Sequence, residues 1–264
     1  MSRDQLLVLG CQPGAPTAYG AASGYLLQIG GVRIVIDCGP GIAFELARRG
    51  LLDTIDAVII THRHADHCAD LLALAYQRRF PQVRAPLPLY GPPDLQGILD
   101  GFDALFGIPS LPALAAPLRD AFRFTVVVPG STFCAAGVDF GTLATRHPVP
   151  TLALRCPRAG LVFTADSALF PALVAFAGGA RVLLAEATYT EAAAHDLAGH
   201  GHLTASQAGE LARDSGAAQL VLTHLAEPQT REACIAHAAA VFAGPIQLAA
   251  PGLVVALTDG SRVS

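Results

Sequence analysis

The chain has 264 residues, 52% of them hydrophobic and 14% charged, well under the roughly 25% charged content usual in soluble proteins. It can bury a sizeable core, which excludes intrinsic disorder, and no apolar stretch approaches the roughly 18 residues that span a bilayer. Net charge is −4, and the 17 basic residues form no run longer than two (Arg48-Arg49, Arg78-Arg79), which argues against an extended nucleic-acid footprint.

From the start, Leu6-Leu7-Val8-Leu9 ends at Gly10, too short for a secretory core, so a cytoplasmic, non-exported protein is expected. Continuous apolar runs bounded by Gly, Pro or Asp read as strands covered on both faces: 24–29, 32–37 and 55–61 in the first part. Helical stretches follow at 69–80 and 94–106. Residues 107–122, rich in Pro, Leu and Ala without clean periodicity, read as an irregular surface excursion; the alternative is an apolar lid over a pocket. Strands are expected at 124–128, 138–146, 151–155 and 160–164, a helix at 169–177 and a strand at 182–185. Thr204 with Gln207 forms a capping box that opens a helix over 204–214, and strand 219–223, helix 230–242 and strand 253–257 complete the chain. No linker or repeat interrupts 1–264, so one layered α/β domain is expected, with helices outside and sheets inside. The six cysteines make no C-x-x-C pair and read as buried free thiols.

The decisive stretch is Ile59-Ile60-Thr61-His62-Arg63-His64-Ala65-Asp66-His67, in which an apolar strand gives way to three imidazoles and a carboxylate within six residues. Neutral imidazole nitrogen and carboxylate oxygen are natural ligands for zinc. Surface histidines in a polar loop are the bland alternative, and the apolar strand leading into the motif speaks against it. His147, Asp166 and His224 each follow a further apolar strand. Alone, each would read as a cap or a hydrogen-bonding residue; together they complete two coordination spheres. The natural grouping is His62, His64 and His147 on one ion and Asp66, His67 and His224 on the other, with Asp166 between them.

With these residues in view, the chain resembles the metallo-β-lactamase superfamily, and within it the branch of ribonuclease Z and its small phosphodiesterase relatives. The likeness runs from Leu9-Gly10-Cys11, Ser23-Gly24-Tyr25 and Asp37-Cys38-Gly39 through the His62–His67 motif and Tyr90-Gly91-Pro92-Pro93. It continues through His147-Pro148-Val149-Pro150 and Asp166-Ser167 to Glu186-Ala187-Thr188, His202-Leu203-Thr204-Ala205 and Leu222-Thr223-His224. It implies a four-layer αββα sandwich with two Zn2+ (Mn2+ or Fe2+ as alternatives) at the edge between two sheets, held in the same grouping. It also implies that His202 is a proton donor oriented by Glu186, since a carboxylate partner fixes the tautomer of a histidine and raises its basicity. Capping of the Thr204 helix is the alternative for His202, and His200 is a nearby competitor. Asp37 is expected to orient the ligand loop rather than bind metal. His195 and His237 have no such context and are expected to face solvent.

Two features depart from ribonucleases that process transfer RNA. Those enzymes carry a basic arm between the third His motif and the bridging Asp, whereas here 18 residues separate His147 from Asp166. Without the arm, and in a mildly acidic chain, binding a folded RNA through its phosphates lacks an electrostatic basis. The expected substrate is therefore a small molecule, with no transfer RNA processing and no membrane partner; a homodimer is an allowed assembly. The mechanism implied by the superfamily is attack by a metal-bound hydroxide, with Asp66 accepting or orienting the water proton and His202 protonating the leaving group. Phosphodiester hydrolysis is the first expectation. Thioester or lactone hydrolysis in a biosynthetic pathway is the alternative, which an apolar 107–122 segment would suit. A metal-stabilised binding protein without turnover is the third reading.

Overall fold

A computed structural model describes residues 4–190, 197–226 and 231–257. In chain order the first part contains β1 (Gln5–Gln12), β2 (Ala21–Ala22), β3 (Gly24–Ile29), β4 (Val32–Ile36), α1 (Ile42–Arg48), β5 (Ala57–Ile59), α2 (Ala65–Cys68), α3 (Leu71–Arg79), β6 (Leu87–Gly91), α4 (Leu95–Phe106) and β7 (Phe122–Val126). The second part contains β8 (Thr132–Ala135), β9 (Val138–Ala144), β10 (Leu152–Cys156), β11 (Leu161–Phe163), α5 (Pro171–Phe176), β12 (Val182–Glu186), α6 (Leu197–His200), α7 (Ala205–Ser215), β13 (Leu220–Thr223), α8 (Arg231–Ala239), β14 (Ile246–Leu248) and β15 (Val254–Ala256).

The strands form two sheets, one ordered β15-β1-β3-β4-β5-β6-β7 with β2 beside β1, the other β14-β13-β12-β11-β10-β9-β8. Both follow the same plan. The strands from β15 to β4 and from β8 to β11 pair antiparallel, and those from β4 to β7 and from β11 to β14 pair parallel. Side chains alternate across each strand: on β4, Ile34 and Ile36 enter the core between the sheets, while Val35 packs outward with Leu46 of α1 and Leu71 of α3. Leu183 and Leu222 of the second sheet likewise face Leu173 of α5 and Leu211 of α7. Both faces are covered, and this gives the αββα sandwich. It also explains why the strands read as continuous apolar runs rather than as alternating ones.

The elements deviate from expectation where function or side-chain caps intervene. The helix expected over 69–80 is α3, and a further short helix, α2, precedes it, the two meeting at Ala69 and Asp70. There the Asp70 N–H donates to the Cys38 carbonyl, and the Asp70 carboxylate accepts from the Ala43 N–H. Residues 107–122 are not a surface excursion throughout: Leu114, Leu118, Ala121 and Phe122 are buried in the outer core. Ile108, Leu111 and Leu114 line an apolar cavity of about 570 Å³ together with Ala43, Tyr76 and Phe80. Five of the six cysteines are buried as expected, but Cys134 on β8 is exposed. The capping box of α7 forms as expected, with Thr204 Oγ1 accepting from Gln207 N and Gln207 Oε1 accepting from Thr204 N. Among the described residues, no helix is long and apolar enough to cross a membrane.

Candidate metal centre

In open parallel sheets, the ends of the strands collect ligand-binding loops. Here the parallel halves of both sheets deliver their loops to one place. Asp37 follows β4, His62 and His64 follow β5, Asp166 follows β11, Glu186 ends β12 and His224 follows β13. The register brings these ends level: Ile36 pairs with Ile59 in one sheet, and Glu186 with Thr223 in the other. His147 arrives from the loop between β9 and β10, and α2 turns Asp66 and His67 back over the strand ends.

Two clusters result. In the first, His64 Nδ1 lies 3.1 Å from both His62 Nε2 and His147 Nε2. In the second, His224 Nε2 lies 3.2 Å from His67 Nε2 and 3.2 Å from Asp66 Oδ2. Asp166 Oδ2 stands between them, 3.7 Å from His62 Nε2 and 4.0 Å from His147 Nε2 on one side, and 3.5 Å from His67 Nε2 and 3.7 Å from His224 Nε2 on the other. The structure thus brings together all seven residues that the sequence singled out as ligands.

The outward ring nitrogens show which way the lone pairs point. His67 Nδ1 donates to Asp37 Oδ2 at 2.8 Å, and His147 Nδ1 to the Gly201 carbonyl at 3.0 Å. The Thr61 hydroxyl donates to Asp37 Oδ1 at 2.9 Å, so its oxygen accepts from His62 Nδ1 at 3.1 Å. With Nδ1 carrying the proton in each case, Nε2 turns a lone pair inward. Burial pulls the imidazoles of His62, His64 and His147 below their ordinary pKa, keeping them neutral. Burial pushes the Asp66 carboxyl up, but the imidazoles of His224 and His67 beside it outweigh this and hold the group well below the usual range. This suits Asp66 to binding a cation more than to taking up a proton. Five imidazoles and two carboxylates fit divalent metal ions, and each cluster is of the size and donor type that one ion needs.

Asp37 is fully buried and accepts from the Thr61 N–H at 2.8 Å, from the Thr61 hydroxyl and from His67; it touches the ligands and lies outside both clusters. Two glycines allow this packing. A Cβ on Gly39 would lie 1.8 Å from the Asp66 carbonyl oxygen. Gly201, at φ 71°, lies so close to the His147 loop that a Cβ would meet the Arg146 carbonyl oxygen at 2.6 Å.

His202 sits beside the clusters, its ring 5.1 Å from that of His147 and 5.8 Å from that of His224. Its Nδ1 lies 4.0 Å from Asp166 but 2.9 Å from Glu186 Oε1, so the Nδ1 proton points to Glu186; His202 also stands with Asp166 and His224 in a third group of donors close enough to share an ion. Burial pulls the imidazole down, the hydrogen bond and charge of Glu186 more than offset it, and its pKa is pushed up to about 9. His200 is exposed at the end of α6 against the Tyr189 ring. His237 is half-buried on α8 rather than facing solvent, and His195 lies outside the described residues. Sequence reasoning missed Thr61, Thr188 and the Gly201 carbonyl as partners of the histidines. Both threonines lie inside the motifs that drew attention, one directly before His62 and one two residues after Glu186.

A four-layer αββα sandwich with His/Asp clusters at the strand ends defines a metallo-hydrolase. The chain belongs to the β-lactamase superfamily: residues 32–225 match the family model described as the beta-lactamase superfamily domain. It is 30% identical to the probable metallo-hydrolase YhfI of Bacillus subtilis, covering 95% of this chain and 98% of that protein. The crystal structure of YhfI superposes with a TM-score of 0.82 over 96% of this chain and 100% of that one. Ribonuclease Z of Myxococcus xanthus is 28% identical over 97% of this chain and 99% of its own length. A diphosphatase of the PhnP family shares the fold, with a TM-score of 0.72 at 20% identity over 96% of this chain and 97% of that one.

Proposed function

We propose that this metallo-hydrolase is a dinuclear zinc enzyme that cleaves phosphodiesters of small substrates. The observation that carries the reading is the single oxygen of Asp166, within 4.0 Å of imidazole nitrogens from both clusters, the place of a bridging ligand. His62, His64 and His147 would hold one ion and Asp66, His67 and His224 the other. Bound there, a metal pair supplies Lewis acidity and an activated water at neutral pH.

The remaining chemistry belongs to the chain. Glu186 holds His202 through Nδ1 and keeps it charged, leaving the Nε2 proton for a departing oxygen. An alkoxide leaves a phosphodiester only with such help, whereas a thiolate needs little. The dyad therefore favours a phosphodiester over a thioester, while a lactone, which also releases an alkoxide, is separated from it by the substrate panel below. The apolar cavity lined by Ile108, Leu111 and Leu114 includes none of the seven ligand residues in its wall, so it gives no support to an apolar substrate at this centre. The His147–Asp166 interval holds only the short hairpin of β10 and β11, which supports a small substrate over transfer RNA. A zinc-reconstituted protein assayed on simple and cyclic phosphodiesters, thioesters, lactones and a precursor transfer RNA tests the reading. Turnover is expected on the small phosphodiesters. Efficient turnover confined to thioesters or lactones, or efficient trimming of the RNA at physiological salt, would overturn it.

A further inference from the structure

The carboxylate of Glu186 has more partners than a histidine-orienting role requires. It is fully buried at the end of β12. Oε1 accepts from His202 Nδ1 at 2.9 Å and from the Ser167 N–H at 2.8 Å. Oε2 accepts from the Thr188 hydroxyl at 2.6 Å. That hydroxyl has one proton, and an ionised carboxylate can only accept, so the proton points to Glu186. The Thr188 oxygen, 3.0 Å from His224 Nδ1 and 3.2 Å from His202 Nδ1, is then left to accept; His202 Nδ1 has its nearer acceptor in Glu186 at 2.9 Å, so the contact with His224 calls for a proton on His224 Nδ1. Its Nε2 lone pair is thereby aimed at Asp66 and His67, 3.2 Å away on each side.

The same device occurs in the other sheet. Asp37 accepts directly from His67 Nδ1 and, through the Thr61 hydroxyl, reaches His62 Nδ1. Each sheet thus places one buried carboxylate at a parallel strand end, where it holds one imidazole directly and a second through a threonine. In the first sheet both imidazoles are ligand candidates. In the second, one is a ligand candidate and the other the proton donor.

We propose that Thr188 is a positioning residue that fixes the Nδ1–H tautomer of His224, so that Glu186 sets both the second metal cluster and the proton donor His202. The inference rests on the reading of His224 as a ligand and of His202 as the acid. It separates two functions that a Glu186 substitution would merge. Thr188→Val keeps the volume and removes the hydroxyl. It should free His224 while leaving the direct Glu186–His202 hydrogen bond in place. Thr188→Ser restores the hydroxyl and should restore the wild-type behaviour.

Two measurements test this. Imidazole nitrogen NMR of the metal-free protein reports the tautomer without any activity assay. Wild type and Thr188→Ser should show His224 protonated on Nδ1, and Thr188→Val should lose that signature. Zinc titration against a competing chelator should then show the affinity of one of the two ions falling roughly 10- to 100-fold in Thr188→Val, the usual scale for a lost partner of a ligand, and recovering in Thr188→Ser. A wild-type His224 protonated on Nε2, or a Thr188→Val protein with both zinc affinities unchanged, would overturn the proposal. If wild type bound fewer than two zinc ions, the dinuclear reading itself would fail, and the tautomer of the metal-free protein would still decide the role of Thr188. If Thr188→Val did not fold, the wild-type tautomer and its retention in Thr188→Ser would decide it alone.

Discussion

His202→Ala should lower kcat on a phosphodiester with an alkoxide leaving group by roughly 100- to 10,000-fold, the scale of a lost general acid. Metal content should stay at the wild-type value, because the Nδ1 atom of this ring is committed to Glu186 at 2.9 Å and the ring lies outside the two proposed ligand sets. A nitrophenyl diester should largely rescue the variant, since nitrophenolate leaves without a proton. Steady-state kinetics on a pair of substrates that differ only in leaving group decides the matter. An equal loss on both would place His202 in metal binding or substrate positioning and remove the acid role.

The second large effect lies beneath the metal clusters. Asp37→Ala should destabilise the protein by about 3–5 kcal/mol, as breaking a buried charged network does. The carboxylate is the acceptor for the Thr61 N–H, the Thr61 hydroxyl and His67 Nδ1, and without it three buried donors lose their partner, at about 1–3 kcal/mol for each one left unsatisfied. Alanine would also occupy a left-handed backbone, φ 60°, which aspartate tolerates better. For a chain of this size the melting temperature should fall by about 10 °C. Asp37→Asn, which keeps an acceptor and tolerates the backbone, should lose less stability while weakening metal binding through His67. Thermal unfolding of the metal-free proteins separates the contributions. An Asp37→Ala protein that melts with the wild type would mean that other groups hold the His62 and His67 loops.

The candidate ligand set was legible in the sequence because metal ligands combine a distinctive residue type with a distinctive place. His62, His147, Asp166 and His224 each stand just beyond an apolar strand, and once the sheets form, the strand ends converge. The layered architecture was legible for the same reason, from continuous apolar runs that need cover on two faces. The short helix α2 was not, because its junction with α3 is set by Asp70 bonding to Cys38 and Ala43, which are remote in sequence. The fate of 107–122 was equally hidden: the burial of Leu114 and Leu118 depends on what α3 and α4 leave uncovered. Thr61 and Thr188 were passed over because a threonine beside a motif has no chemical signature until its hydroxyl is seen between a carboxylate and an imidazole. Gly39 and Gly201 belong to the same class, since their necessity lies in backbones that approach from elsewhere in the chain.

The proposed centre would hold two ions, one in each cluster, with Asp166 between them. Elemental analysis of the chain, stripped of metal, reconstituted with zinc and freed of excess by gel filtration, tests it most directly. The clusters His62/His64/His147 and Asp66/His67/His224 predict saturation close to two zinc ions per chain, with Asp166→Ala falling below that value. Saturation of the wild type near one ion, or none, would contradict the account.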